Sequence, residues 1–426
     1  MPLGILAWGI GGAIMMVCIF AFANMATKYE KVNGIVDYAE ATVGSKYAYY
    51  IGWFMTTTYY PTMTSVLAWL CARYTLTFLV SVNPDFPLSI PATEGGCLFS
   101  PECLALMLFY MCASYTINAL SPKLAGKLQT TTTVIKFIPL CLMAVVGTIY
   151  GLIFGMTEQN FTNMATVSPD AVSSQPLFTA VCATAFAYEG WIIATAINAE
   201  LKDAKRNLPK ALVLGGLVVV ITYIAYYIGV AGGATNQELI DYGATIAFTN
   251  IFGSVLGNIL NLFVVVSCIG TMNGLMLGCC RGMYSLAARN QGPKPNVFRQ
   301  IDSATNMPNN ASVVGLFFCA FWGLYFFLSQ LSASPSSWLG PFVFDSSEIP
   351  IVTTYLLYIP IFLMWMKKSK DVGIVKRFIV PALAIIGSAF MVCACIVGHG
   401  IANLYFLIVF VVFMVIGRVI ANRPLT

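Results

Sequence analysis

Two ionisable side chains stand where an apolar chain should carry none. Glu189 lies in Ala185-Phe186-Ala187-Tyr188-Glu189-Gly190-Trp191, in the middle of an apolar run from about 176 to 199. Lys136 lies nine residues beyond Lys127, about 13 Å along a helix at 1.5 Å per residue, inside another run. A charge at membrane depth costs at least about 2.5–3.5 kcal/mol, so it marks a polar path, a partner or a functional site. Gly190 adds a second anomaly, because a glycine beside the charge lets the helix open. A helix broken at mid-depth frees backbone groups that can hold a small polar molecule. The plainer alternative is a glycine-weakened helix whose glutamate faces a watery cleft. An unpaired ammonium at the depth of Lys136 either gives up its proton or finds a partner. Thr131, Thr132 and Thr133 offer hydroxyls nearby, and the plain alternative there is a lysine satisfied by carbonyls and used for packing. Asn273, between Gly270 and Gly274, is a third polar group at depth, suited either to lining a cavity or to an interhelical hydrogen bond.

Composition sets what could position these residues. The 426 residues are 58% hydrophobic and 9% charged, with a mean hydropathy of +0.80. A soluble domain carries about 25% charged residues, so the chain is read as an all-α integral membrane protein. One histidine, His399, and the lack of any His/Cys metal spacing argue against metal catalysis, and no metal ligands are expected. No Gly-rich phosphate loop followed by Lys-Ser/Thr appears. Nothing points to a cofactor, to a nucleic-acid partner or to enzymatic catalysis. Most of the thirteen cysteines fall in apolar runs, but Cys97 and Cys103 share one polar loop. They form a disulfide or remain two free thiols according to the redox state of the space they face.

Apolar runs of spanning length occur at about 2–26, 47–81, 104–120, 129–154, 176–199, 208–231, 248–285, 311–331, 347–366, 378–398 and 401–420, eleven in all. Basic residues fall in every second loop: Lys28, Lys31 and Lys46; Lys123 and Lys127; Lys202, Lys205, Arg206 and Lys210; Arg289, Lys294 and Arg299; Lys367 to Arg377; and finally Arg418 and Arg423. The positive-inside rule makes those loops and the C-terminus cytoplasmic. The runs at 47–81 and 248–285 are long enough to cut, but cutting either would misplace every later basic loop. Each is expected to be one long, tilted or kinked helix. Arg73, near the outer end of its run, is placed to snorkel. Parity puts Met1 outside, directly at the start of an apolar run, so the chain is expected to be an N-terminal truncation lacking one span. Asn33 to Glu40 reads as a short interfacial helix, and Pro209 as a first-turn proline of the sixth span.

Three blocks carry a family resemblance. Phe186-Ala187-Tyr188-Glu189-Gly190-Trp191 followed by Glu200 to Ala211, Gly34-Ile35-Val36-Asp37-Tyr38-Ala39-Glu40 with Gly52-Trp53, and Arg281 to Gly292 together resemble the amino acid–polyamine–organocation permeases. The L-type and serine/threonine-exchanger branch is closest in flavour. The resemblance implies a polytopic LeuT-like inverted-repeat bundle, here with the first helix of repeat one missing. Residues 1–154 would be the incomplete first repeat, 176–366 the second, and 378–420 two accessory helices. It also implies a secondary transporter of amino acids or related amines. That transporter would work by alternating access, as an exchanger or proton-coupled symporter, in a bacterial plasma membrane. Phe186 stands where relatives close an aromatic over the substrate. The carbonyls of Phe186, Ala187 and Glu189, freed at Gly190, would face its amino group. Tyr188 and Trp191 would brace the break. Lys136 stands where relatives carry a coupling proton or a fixed structural cation. Glu189 departs from many relatives and either favours a cationic substrate or pairs with a nearby donor. The rival reading is a non-transporting membrane sensor or inactive remnant of the same fold. The substrate and the oligomeric state are not legible.

Overall fold

Long apolar sequence forces helices, since each backbone N–H and C=O must be satisfied within its own segment where no water reaches. The computed structural model describes residues 1–29, 34–162, 176–332 and 335–421, and among these eleven helices are long and apolar enough to cross a membrane. They are α1 (Pro2–Ala26), α2 (Ser45–Val82), α3 (Pro101–Leu120), α4 (Pro122–Ile153), α5 (Pro176–Thr195), α6 (Ala204–Gly233), α7 (Ala244–Ala287), α8 (Asn309–Leu331), α9 (Ile349–Lys368), α10 (Val375–His399) and α11 (Ala402–Val419). The run at 47–81 lies in one continuous helix, whereas α7, which holds the run at 248–285, is two helical stretches joined across a non-helical residue. In α7 the kink falls at Gly253, whose φ of 77° a side chain would oppose. In α2 a π-turn covers Met55–Tyr59.

That π-turn has a sequence cause. Pro61 has no N–H to give the carbonyl of Thr57, and its ring crowds that carbonyl. The Trp322 indole of α8 takes over, donating Nε1–H to Thr57 O at 2.7 Å. Thr56 and Thr57 hydroxyls bond back to Gly52 O and Trp53 O at 2.7 and 2.8 Å, which also loosens the turn. One difference from expectation concerns α6. It starts at Ala204, so Pro209 lies inside the helix rather than in its first turn.

The alternating charges reappear as two chemically distinct ends. At one end Lys28 pairs with Asp371 at 2.6 Å, and the Lys368 ammonium donates to Ala41 O at 3.4 Å. Arg289 pairs there with Asp37 of the short helix Gly34–Thr42. At the other end Asn160 donates to Ala231 O and Ala234 O at 2.6 and 2.9 Å, joining two gaps free of Lys and Arg. Two of the three resemblance blocks also meet, and the helix that carries the third packs beside them. Arg289 lies 3.9 Å from Glu40 as well as pairing with Asp37, and a Cβ on Gly34 would collide with Thr195 of α5.

Candidate functional site

The α-helical part of α5 stops at Tyr188, and Gly190 adopts φ 104°, open only to glycine without strain. Beyond it Trp191–Glu200 winds as a 3-10 helix. Runs beyond three or four residues of that form are uncommon and accompany hinges or strain. Across the break Glu189 N–H reaches only Phe186 O, at 3.3 Å, and Ile193 N–H reaches Gly190 O, at 3.1 Å. The carbonyls of Ala187 and Glu189 accept no backbone hydrogen bond among the described residues.

The Glu189 carboxylate turns inward. Its Oε1 accepts a short hydrogen bond from the Tyr59 hydroxyl, and its Oε2 is sealed from solvent with no partner. Tyr59 is the last residue of the π-turn in α2, so the irregular turns of α2 and α5 face each other through this bond. Tyr355 presents a second buried hydroxyl without a partner, and Trp191 a buried indole N–H without one. A buried acceptor and buried donors without partners are costly unless something else bonds them.

Tyr188 and Trp191 brace the break on opposite sides. Tyr188 Oη donates to Trp8 O at 3.0 Å and stacks on Tyr223, with ring centroids 5.5 Å apart. Trp191 packs against Phe22 and Tyr358, at 5.8 and 6.3 Å.

Two cavities flank α5. One, of about 230 Å³, is lined by Lys136, Ala187, Trp8, Tyr223, Tyr226 and Ser267, among others. Lys136 makes no hydrogen bond or ion pair among the described residues. The other, of about 350 Å³, is lined by Phe186, Trp69, Gln330, Asp345 and Glu348, among others. Consecutive helical residues point about 100° apart, which puts Phe186 and Ala187 on different sides of α5.

Of the residues singled out from sequence, Phe186, Ala187, Glu189, Gly190 and Lys136 therefore gather about the break. Asn273 does not line either cavity. It is buried between helices, accepting from Asn118 Nδ2 at 2.9 Å and donating to Ala125 O at 3.1 Å. Cys97 and Cys103 are both free thiols, and burial pushes the Cys97 thiol above its usual range. Arg73 lies over the rings of Trp69 and Tyr74, 5.5 and 5.6 Å from their centroids.

Sequence reasoning missed Tyr59, although a tyrosine two residues before a mid-helix proline is a usable signal. It also missed a cluster of Cys182, Cys395 and His399. The expectation of no metal-ligating set rested on local spacing, and these residues come together only through the packing of α5 on α10.

A bundle of membrane-length helices, one of them unwound beside polar groups, has the architecture of polytopic membrane permeases. Residues 2–419 match the amino acid permease family, and the chain belongs to it. It is 24% identical over 399 residues to the serine/threonine exchanger SteT of Bacillus subtilis (strain 168), an alignment covering 91% of this chain and 82% of that protein. It is 25% identical over 304 residues to the large neutral amino acids transporter small subunit 2 of Rattus norvegicus, covering 70% of this chain and 53% of that one. Identity to the Homo sapiens Asc-type amino acid transporter 1 is 24% over 307 residues, 72% of this chain and 56% of that one. The chain thus spans about half the length of these two mammalian relatives. All three are named as transporters or exchangers rather than enzymes.

Proposed function

We propose that the protein is a secondary transporter of amino acids or related amines, working by alternating access about the break in α5. The observation that carries this reading is the pair of free carbonyls at Ala187 and Glu189 beside a buried carboxylate with one oxygen unsatisfied. Such acceptors suit a substrate ammonium. Phe186 would close the acidic cavity over the substrate, and Asp345 and Glu348 would draw cations toward it. Lys136 would answer on the other side as a coupling proton carrier or a fixed cation. The Tyr59–Glu189 bond would tie the substrate helix to α2, so that occupancy of the break alters both helices. In this reading 1–154 and 176–366 act as the two repeats, and the basic end of the bundle is cytoplasmic in a bacterial plasma membrane. Proteoliposomes holding the purified chain test it. Labelled amino acid should accumulate by exchange for internal unlabelled substrate or down a proton gradient. Saturable binding with no uptake under either drive would support a sensor and contradict a transporter.

A further inference from the structure

Above the break, at the end of the bundle away from the basic loops, three helices bring soft and borderline ligands together. Cys182 of α5 lies eight residues before Gly190, and Cys395 and His399 close α10 one turn apart. The three ligand atoms lie within 4.8 Å of one another. Glu348, at the start of α9, completes the group. Its Oε2 is 3.0 Å from His399 Nε2, and Cys182 Sγ is 3.6 Å from the same nitrogen. Two groups thus aim at one imidazole nitrogen, which in its neutral form carries at most one hydrogen.

The spacing, at most 4.8 Å among the two sulfurs and the imidazole nitrogen, approaches that of the ligands of a tetrahedral ion. With metal–sulfur bonds near 2.3 Å and metal–nitrogen bonds near 2.0–2.1 Å, ligand atoms sit roughly 3.3–3.8 Å apart. Cys182 and Cys395 are almost wholly buried, as structural thiolate ligands usually are. Glu348 also lines the 350 Å³ cavity beside Asp345, which gives a cation an acidic route inward. Asn403 donates to Cys395 O at 3.1 Å and accepts from the Cys395 thiol at 3.2 Å, a bond that the thiol gives up when it binds as thiolate.

We propose that Cys182, Cys395, His399 and Glu348 form a binding site for a thiophilic divalent ion of the zinc type. Binding releases the two thiol protons to solvent, and His399 Nε2 gives its lone pair to the ion. The ion would tie the outer half of α5 to α9 and α10. It would restrain the part of α5 that must move if the break works as proposed. Metal binding itself does not depend on that reading.

Cobalt(II) is the probe, added to the reduced full chain in detergent. One equivalent should bind with a thiolate-to-cobalt absorption band and tetrahedral visible bands. The thiolate band should weaken in Cys182→Ser and in Cys395→Ser and persist in Cys393→Ser, an exposed α10 position. Glu348→Gln should weaken affinity about 10–100-fold. Should the cysteine variants fail to fold, the unaltered chain still decides. One equivalent of zinc should displace bound cobalt and abolish its thiolate band, and a band that zinc leaves in place would count against a zinc-type site. No thiolate band at one equivalent, or a band untouched by either substitution, would overturn the site. So would a Cys182–Cys395 disulfide in the protein as isolated with no metal uptake after reduction. In proteoliposomes, added zinc should slow uptake by the unaltered chain several-fold and spare Cys182→Ser. Zinc binding without slowed uptake would keep the site and remove its link to movement of α5.

Discussion

The two cavities beside α5 differ in charge, so neighbouring residues of one helix face unlike surroundings. Phe186 meets a chamber carrying Asp345 and Glu348, whereas Ala187 meets a chamber whose charged residue is Lys136. The strand of chain between them is the unwound turn, with Glu189 held to Tyr59. A cationic group is drawn from the acidic side and repelled by the lysine side. In the proposed function, a single broken helix would separate attraction from coupling without any further element.

The sharpest way to break this asymmetry is Lys136→Ala. Removing the charge from the smaller chamber should lower gradient-driven accumulation at least tenfold while the protein stays in the membrane. Proteoliposome uptake with and without an imposed proton gradient, beside a check of protein amount, measures it. Unchanged gradient-driven accumulation would leave Lys136 as packing.

Next in size is the lock that holds two of the family blocks together at the basic end. Asp37 is 1% exposed against its Arg289 partner. Removing one member of a buried pair costs about 3–5 kcal/mol. Asp37→Asn should lower the apparent melting temperature in detergent by many degrees, whereas changes in either cavity should not. An Asp37→Asn chain as stable as the unaltered one would contradict the lock.

Glu189→Gln should sharpen the comparison on the substrate side. It keeps the shape of the Tyr59 contact and removes the charge, and cationic amino acids should lose about tenfold, or 1.4 kcal/mol, relative to neutral ones. Competition assays report the ratio. An unaltered ratio with lower expression would make Glu189 a packing group paired to Tyr59.

The smallest effect belongs to an exposed pair. A hydrogen bond from Lys28 holds the Asp371 carboxyl below its ordinary range. A depressed folded value stabilises the protein above the unfolded value, and that contribution fades as pH falls through the folded one. Asp371→Asn should remove only a slight acid-side slope from the melting profile.

Much of this was legible in sequence because it rests on local rules. Span positions follow from run length, and parity among the basic loops shows that the long runs of α2 and α7 each cross once. Glu189 and Lys136 stood out because charge is rare at depth. What escaped depends on contacts distant in sequence. Tyr59 is ordinary until Pro61 winds α2 into a π-turn that points it at Glu189. Asn273 looked as ready for a cavity as for a neighbour, and only the positions of Asn118 and Ala125 give it interhelical bonds. Cys182 and His399 are 217 residues apart and carry no shared pattern. The first turn of α6 was misplaced because Pro209 is tolerated inside a helix that starts five residues earlier.

The central claim is that substrate sits on the unwound turn of α5. Electron cryomicroscopy of the chain with an amino acid that it exchanges tests this most directly. The expected result is ligand density at residues 186–190, with the ammonium on the carbonyls of Ala187 and Glu189 and Phe186 closed above it. Ligand density elsewhere in the bundle, with that turn unaltered and its carbonyls still free, would contradict it.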